Sequence, residues 1–181
     1  MNTPEIILTV IGCVVALVAL APLFVKNEYV IRRDIVINEP VEKMFAYLRQ
    51  LKNQTLYNKW VMQDPDLKQE YRGTDGTPGF VVAWEGNKQA GKGEQEIVKI
   101  VENRRIDMEL RFEKPFKNTA RAAIITSPEG PATRVEWLLE GRNKYPMNLM
   151  NAFISKMLRA DLDESLQHLK TLKEKEISAP A

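Results

Sequence analysis

Cysteine occurs once, at Cys13, and histidine once, at His168. A single cysteine excludes an intramolecular disulfide and is compatible with a reducing compartment. One cysteine and one histidine leave no donor set for a zinc site of His/Cys type, and no metal is expected. A histidine-assisted serine or cysteine nucleophile meets the same shortage. An excess of one charge is also missing. There are 26 Lys and Arg against 24 Asp and Glu, well mixed, for a net charge of +2. Without a basic block or stripe, nucleic acid is not an expected partner. Gly73, Gly76 and Gly79 make no phosphate loop, because Pro78 interrupts them and no Lys-Ser/Thr ending follows. The chain shows no internal repeat, and nothing in it calls for a cofactor.

One long apolar run is present. Seventeen of the 20 residues from Ile6 to Val25 are apolar, interrupted only by Thr9, Gly12 and Pro22. As a helix this run is about 30 Å long, one hydrocarbon thickness. It is read as an uncleaved transmembrane anchor. The rival is a cleaved signal peptide, for which Ala19-Leu20-Ala21 supplies a small-residue site. Against it stand the length of the run, Pro22 just after the cut, and the lack of a basic residue before it. Lys26, Arg32 and Arg33 follow the run, whereas Glu5 precedes it. The positive-inside rule then places the rest of the chain on the cytoplasmic side of a single-pass protein.

Residues 28–176 read as one domain, and 177–181 as a disordered tail. Tyr29 to Ile37 forms a first strand. Pro40 opens a helix with Val41, Met44, Phe45, Leu48 and Leu51 on its apolar face. A second short helix falls near Leu56 to Trp60. Strands follow at Leu67–Arg72, Phe80–Glu85, Lys92–Val101, Ile106–Phe112, Thr119–Thr126 and Thr133–Glu140. Their alternation predicts an antiparallel sheet with one wet face and one covered face. From Pro146 to Glu176 the apolar spacing is that of a long helix, the only one available to cover the sheet.

The order of elements, with residues spread over about Tyr29 to Leu172, resembles the START-related ligand-binding superfamily (SRPBCC), in particular its polyketide cyclase/dehydrase-like group. The residues that carry the resemblance include Ile35 to Pro40 with Val41 to Phe45, Trp60, Tyr71-Arg72-Gly73, Trp84 to Asn87 and Gly91 to Glu94. They continue through Leu110-Arg111-Phe112, Lys114-Pro115-Phe116, Thr133 to Trp137 with Gly141, and Pro146 to Met150. The resemblance implies an α+β helix-grip fold. In that fold about seven antiparallel strands curve around the long C-terminal helix; the N-terminal transmembrane helix read from the apolar run would precede it. It also implies a hydrophobic cavity for apolar or amphipathic ligands, without implying a reaction.

The expected cavity wall comes from the inward strand faces and from the first half of the long helix. Trp84, Gln95, Met108, Leu110, Phe112 and Trp137 are its sheet residues. Met150, Phe153 and Met157 approach from the helix, where flexible methionines suit an adjustable pocket. Gln95, and behind it Tyr71 and Arg121, are the polar groups available to orient a ligand. Trp60 is either core or cavity wall. His168 belongs to the polar side of the helix and is read as a surface residue. Glu94 and Glu96 point to solvent. Asp64 and Asp66 flank Pro65 in a loop and form at most a weak cation site. Asp161 is the one candidate acid or base, against the alternative of a helix-surface carboxylate.

Three functions remain open. The first is a membrane-anchored protein that binds a hydrophobic small molecule or lipid without transforming it. The second is a cyclase/dehydrase-type enzyme using Asp161. The third is an interaction module with a filled core. The missing acid–base, metal or nucleophile constellation favours the first.

Overall fold

The computed structural model describes residues 3–178. Helix α1 spans Thr3–Leu20, and a 3-10 turn follows at Ala21–Phe24. The expected helix to Val25 stops early because Pro22 has no N–H to donate to the preceding turn. Side chains at 6, 13–15 and 18–19, Cys13 included, lie outside the described residues. Among the described residues no helix is long and apolar enough to cross a membrane.

Seven strands follow: β1 (Glu28–Ile37), β2 (Lys68–Arg72), β3 (Val81–Glu85), β4 (Lys92–Val101), β5 (Arg105–Lys114), β6 (Asn118–Glu129) and β7 (Ala132–Arg142). They form one antiparallel sheet in the order β1-β7-β6-β5-β4-β3-β2. Between β1 and β2 lie α2 (Val41–Leu48), a 3-10 turn at Leu51–Leu56 and the single turn α3 (Lys59–Met62). Strand β6 runs through Ser127 and Pro128, so its hairpin turn is tighter than the sequence suggests. The chain ends in a 3-10 turn at Met147–Met150 and helix α4 (Asn151–Ser178). Ile177 and Ser178 therefore belong to α4, and the rest of the expected tail lies outside the described residues.

Alternation dictates which residues meet in the core. Ile106 and Met108 on β5, Ala120, Ala122 and Ile124 on β6, and Val135, Trp137 and Leu139 on β7 turn to the covered face. Leu162, Leu166 and Leu169 of α4 pack onto them with Met44, Phe45 and Leu48 of α2. Each Ile, Leu, Val, Met or Phe among them contributes about 1.5–3 kcal/mol on burial. The opposite face is charged. Arg111 gathers Glu109 at 2.8 Å, Glu96 at 2.7 Å and Glu94 at 3.3 Å. Glu94 and Glu96 thus lie on the wet side. Arg121 joins that face opposite Glu109 and Glu140, because its neighbours Ala120 and Ala122 take the inward positions.

The far half of α4 is clamped by buried polar groups. Lys173 lies 3.4 Å from Glu39, an ion pair without hydrogen-bond geometry, and 2.6 Å from Glu176. Its ammonium also sits 4.4 Å from the centre of the Tyr47 ring. His168 is half-buried rather than a surface residue, and its Nδ1 is enclosed without a partner. Burial pushes the Tyr57 phenol up strongly. Burial, and then Glu176, push Tyr47 up to about 12. Unfolded tyrosines ionise near pH ~10, so the stability tied to these neutral phenols is complete below that pH. It is lost as pH rises toward about 12 for Tyr47, and beyond that for Tyr57. Denaturant midpoints measured at about pH 9 and about pH 11 are expected to fall, and Tyr57→Phe is expected to lessen the fall.

Candidate functional site

The helices after β1 do not close completely over the sheet. A cavity of about 220 Å³ remains between β2–β5 and residues 51–67. Val82, Trp84, Gln95, Leu110 and Phe112 supply its sheet wall, with Leu139 behind. Leu51, Gln54, Asn58, Trp60 and Val61 face them from the helical segment. Leu158 is the one contribution from α4, and Gln89 and Ala90 reach over from the β3–β4 loop.

Trp84 is held by neighbours on two sides. Its Nε1 donates to the Ala90 carbonyl at 3.0 Å, and its ring meets Phe112 edge-on at 5.8 Å. Below it lies Gly93, where an added Cβ would stand 2.7 Å from the indole and 2.6 Å from the Arg111 carbonyl oxygen. Only glycine leaves room for this packing. The loop above is pinned by Asp64, whose Oδ2 accepts the Asn87 N–H at 2.7 Å and whose Oδ1 accepts that of Asp66 at 3.2 Å. Asp64 is buried by this task and is a loop anchor. No group of three or more His, Cys, Asp or Glu placed to hold a metal occurs among the described residues.

No residue lining the cavity is ionisable. Its polar groups are carboxamides, those of Gln54, Asn58, Gln69, Gln89 and Gln95. The Asn58 carbonyl accepts the Trp60 N–H at 3.0 Å, which turns its amide nitrogen toward Gln54 Oε1 at 3.0 Å. Gln54 Nε2 then has no partner, although Gln54 is only 4% exposed. Gln95 Nε2 donates to the Met108 sulfur at 2.8 Å, a weak acceptor. Two amide donors are therefore unspent or poorly spent beside an apolar space. A buried donor without a partner costs about 1–3 kcal/mol, which an acceptor on a ligand offsets.

The structure divides the expected wall residues into two groups. Trp84, Gln95, Leu110 and Phe112 line the cavity. Met108 and Trp137 lie one layer deeper in the core, where Trp137 meets Trp60 and Tyr57 edge-on. Met150, Phe153 and Met157 do not line it; they face outward from the start of α4, with Phe153 65% exposed. That stretch is apolar nearly all round, so spacing alone does not choose its inner face. Asn148 and Asn151 decide it, because their amides reach the backbone before β1. Asn148 Nδ2 donates to the carbonyls of Pro22 and Val25 at 2.7 and 2.8 Å, and Asn151 Nδ2 to that of Lys26 at 2.8 Å. Tyr71 is exposed and stacked on Phe80.

Asp161 is buried but does not reach the cavity. Its Oδ1 pairs with Lys59 at 2.9 Å, and its Oδ2 accepts from Trp60 Nε1 at 3.2 Å. Lys59 also pairs with Glu164 at 2.6 Å, and its backbone N–H donates to Ser165 Oγ at 3.0 Å. The carboxylate fastens α3 to α4 and so holds Trp60 against the cavity. Gln54 and Asn58 were not singled out from the sequence. Asn58 carries a readable signal, as an N-cap before Lys59. Gln54 carries none.

Solved structures show the same fold at low identity. Protein CV1439 from Chromobacterium violaceum superposes with a TM-score of 0.59 at 15% identity, covering 80% of this chain and 96% of that one. Hypothetical protein jhp0584 from Helicobacter pylori gives 0.63 at 11%, covering 82% and 89%. TTHA0849 from Thermus thermophilus gives 0.59 at 17%, covering 79% and 95%. No curated protein matches the chain. The family described as polyketide cyclase / dehydrase and lipid transport matches residues 29–174, which span every strand and nearly all of α4. This chain, a seven-stranded grip around a long helix, belongs to that family.

Proposed function

We propose that the protein binds an uncharged, largely apolar small molecule or lipid and holds it without chemical change. The carrying observation is the cavity that contains carboxamides and apolar groups but no titratable side chain. Proton transfer at neutral pH needs an acid or base within hydrogen-bond reach of the substrate. Asp161, the candidate for a cyclase/dehydrase reaction, is engaged by Lys59 and Trp60 outside the cavity wall. The open space argues against a filled interaction module. At about 220 Å³ the cavity is smaller than the ~300–1,000 Å³ of drug-sized sites. It suits one ring system or a short acyl segment, or the leading end of a longer lipid. The free Gln54 donor, with Gln95 beside the space, suits a carbonyl or similar acceptor at that end.

The chain is tethered to a membrane by α1, with the grip domain on the cytoplasmic side. Ile7, Leu8, Val10, Ile11, Leu17 and Leu20 are all exposed, and α1 packs on little besides the turn that follows it. Its 18 residues rise about 27 Å, short of the ~30 Å hydrocarbon core, so the tether rests on the whole apolar run from Ile6 to Val25 rather than on α1 alone. Tethering raises the concentration of membrane-dissolved ligands at the cavity.

Titration with 2-decanone and with n-decane, read by the fluorescence of Trp60 and Trp84, tests the ligand chemistry. Gln54→Leu is expected to weaken 2-decanone about tenfold, the worth of one net hydrogen bond of ~1.4 kcal/mol, and to leave n-decane unchanged. Equal effects on both ligands would remove the carbonyl assignment, and no saturable binding of either would remove the cavity function.

A further inference from the structure

The grip domain carries a second apolar feature that the cavity does not use. Four side chains on the 3-10 turn before the long helix and on the helix's first turns, Leu149, Met150, Phe153 and Met157, are exposed. Phe24 lies on the turn that Asn148 fastens to this segment, and Phe116 is 72% exposed on the β5–β6 turn.

All of these sit at one end of the sheet. Register places Glu28 opposite Arg142, Lys92 opposite Lys114, and Phe112 opposite Asn118, so the linker from α1, the β3–β4 loop, the β5–β6 turn and the end of β7 share that end. A chain of asparagine side chains ties them to α4. Asn118 donates to Asn143 at 3.4 Å, Asn143 to Asn151 at 2.8 Å, and Asn151 to the Lys26 carbonyl.

The charge around the patch is mainly positive. Lys26, Lys117, Arg142, Lys144, Lys156 and Arg159 are exposed, and none forms an ion pair among the described residues. Of the acids at this end, Glu85 and Glu113 are paired with Lys92 or Lys114, Glu28 stands opposite Arg142, and Asp66 precedes β2. An apolar face interleaved with long basic side chains fits the interface of an anionic bilayer, where lysine and arginine reach the headgroups while rings and thioethers enter the acyl boundary. A protein partner has no such requirement for a predominance of positive charge.

We propose that residues 147–157, with Phe24 and Phe116, dock onto an anionic lipid surface and set the cavity against it. This rests on the membrane-tethered binding function proposed above. Leu158, next to the docked Met157, lines the cavity, as do Gln89 and Ala90 at the same end. The docked face therefore places the cavity wall at the headgroup level, and ligand passes between α4 and the β3–β4 loop without crossing bulk water.

The test uses the full chain with Cys13→Ala, reconstituted in phosphatidylcholine vesicles with and without phosphatidylserine. Nitroxides are attached at Phe153→Cys, at Phe116→Cys and, at the opposite end of the sheet, at Ser127→Cys. With phosphatidylserine, the first two labels are expected to be reached by oxygen and shielded from a water-soluble nickel chelate, and the third to show the reverse. Each basic side chain near an anionic surface favours docking about fivefold, so joint substitution of Lys144→Glu, Lys156→Glu and Arg159→Glu is expected to lower the docking equilibrium constant by about 100-fold or more. Chelate access at 153 in both vesicle types would overturn the proposal. So would dipolar broadening between labels at 153 that disappears on dilution with unlabelled chain, since a second copy would then cover the face. Native mass spectrometry of the same samples separates the two readings. A bound ligand with a water-exposed 153 removes docking alone, and a shielded 153 with an empty cavity removes ligand binding alone.

Discussion

Leu110→Trp is expected to fold with near-normal stability and to lose ligand. Leu110 sits between Gln95 and Ala120 in the sheet, and its side chain borders the cavity. In a filled core an added ring of this size costs about 1–3 kcal/mol in strain. Here it enters a space of about 220 Å³ and occupies much of it. The two readouts answer different questions. An unchanged denaturant midpoint shows that the space exists, and loss of 2-decanone binding by more than about tenfold shows that ligand uses it. A large loss of stability would mean that the interior is packed, and the interaction-module reading would return.

Asp161→Ala is expected to act on stability first and on binding second. The carboxylate is buried between Lys59 and Trp60, and Lys59 is itself partly exposed, so solvent screens part of the ion pair. The loss expected is about 1.5–3 kcal/mol, the range for hydrogen bonds to a charged group. Trp60 then loses its only fastening to α4 through Nε1, and the cavity wall loosens. Asp161→Asn keeps an acceptor for Trp60 and is expected to recover most of the binding. A catalytic acid or base would behave differently, since the amide would abolish turnover with binding intact.

Both predictions depend on features that differ in how openly the sequence shows them. Ile106, Met108, Leu110 and Phe112 alternate with charged residues because the antiparallel sheet is wet on one face, and this made the inner wall readable. The leucines at 162, 166 and 169 are readable for the same reason, since one narrow stripe among charges permits one orientation. The start of α4 has no such contrast. Leu149, Met150, Phe153, Ile154, Met157 and Leu158 surround the axis, and two asparagines that bind backbone carbonyls before β1 choose the inner face. Those contacts join residues more than 120 positions apart, and no local pattern encodes them.

The polar part of the cavity was hidden for a related reason. Gln54 lies among Lys, Asn and Thr just before the short helix expected near Leu56 to Trp60, and Asn58 lies within that helix; no local pattern turns either amide inward. Only the fold shows that the 3-10 turn at Leu51–Leu56 brings Gln54 under the sheet with one amide donor unspent. Asp64 and Asp66 illustrate the converse. Two nearby acids suggest a cation, yet backbone N–H groups of Asp66 and Asn87 take the Asp64 oxygens.

The central claim is that the cavity holds an uncharged hydrophobic molecule. Native mass spectrometry of the full chain, purified in mild detergent from a membrane-containing host, tests it most directly. The account predicts a second species, heavier than the 20.7 kDa chain by the mass of one small apolar molecule or lipid and depleted by Leu110→Trp. A single species at the chain mass, persisting after incubation with a membrane lipid extract, would contradict it.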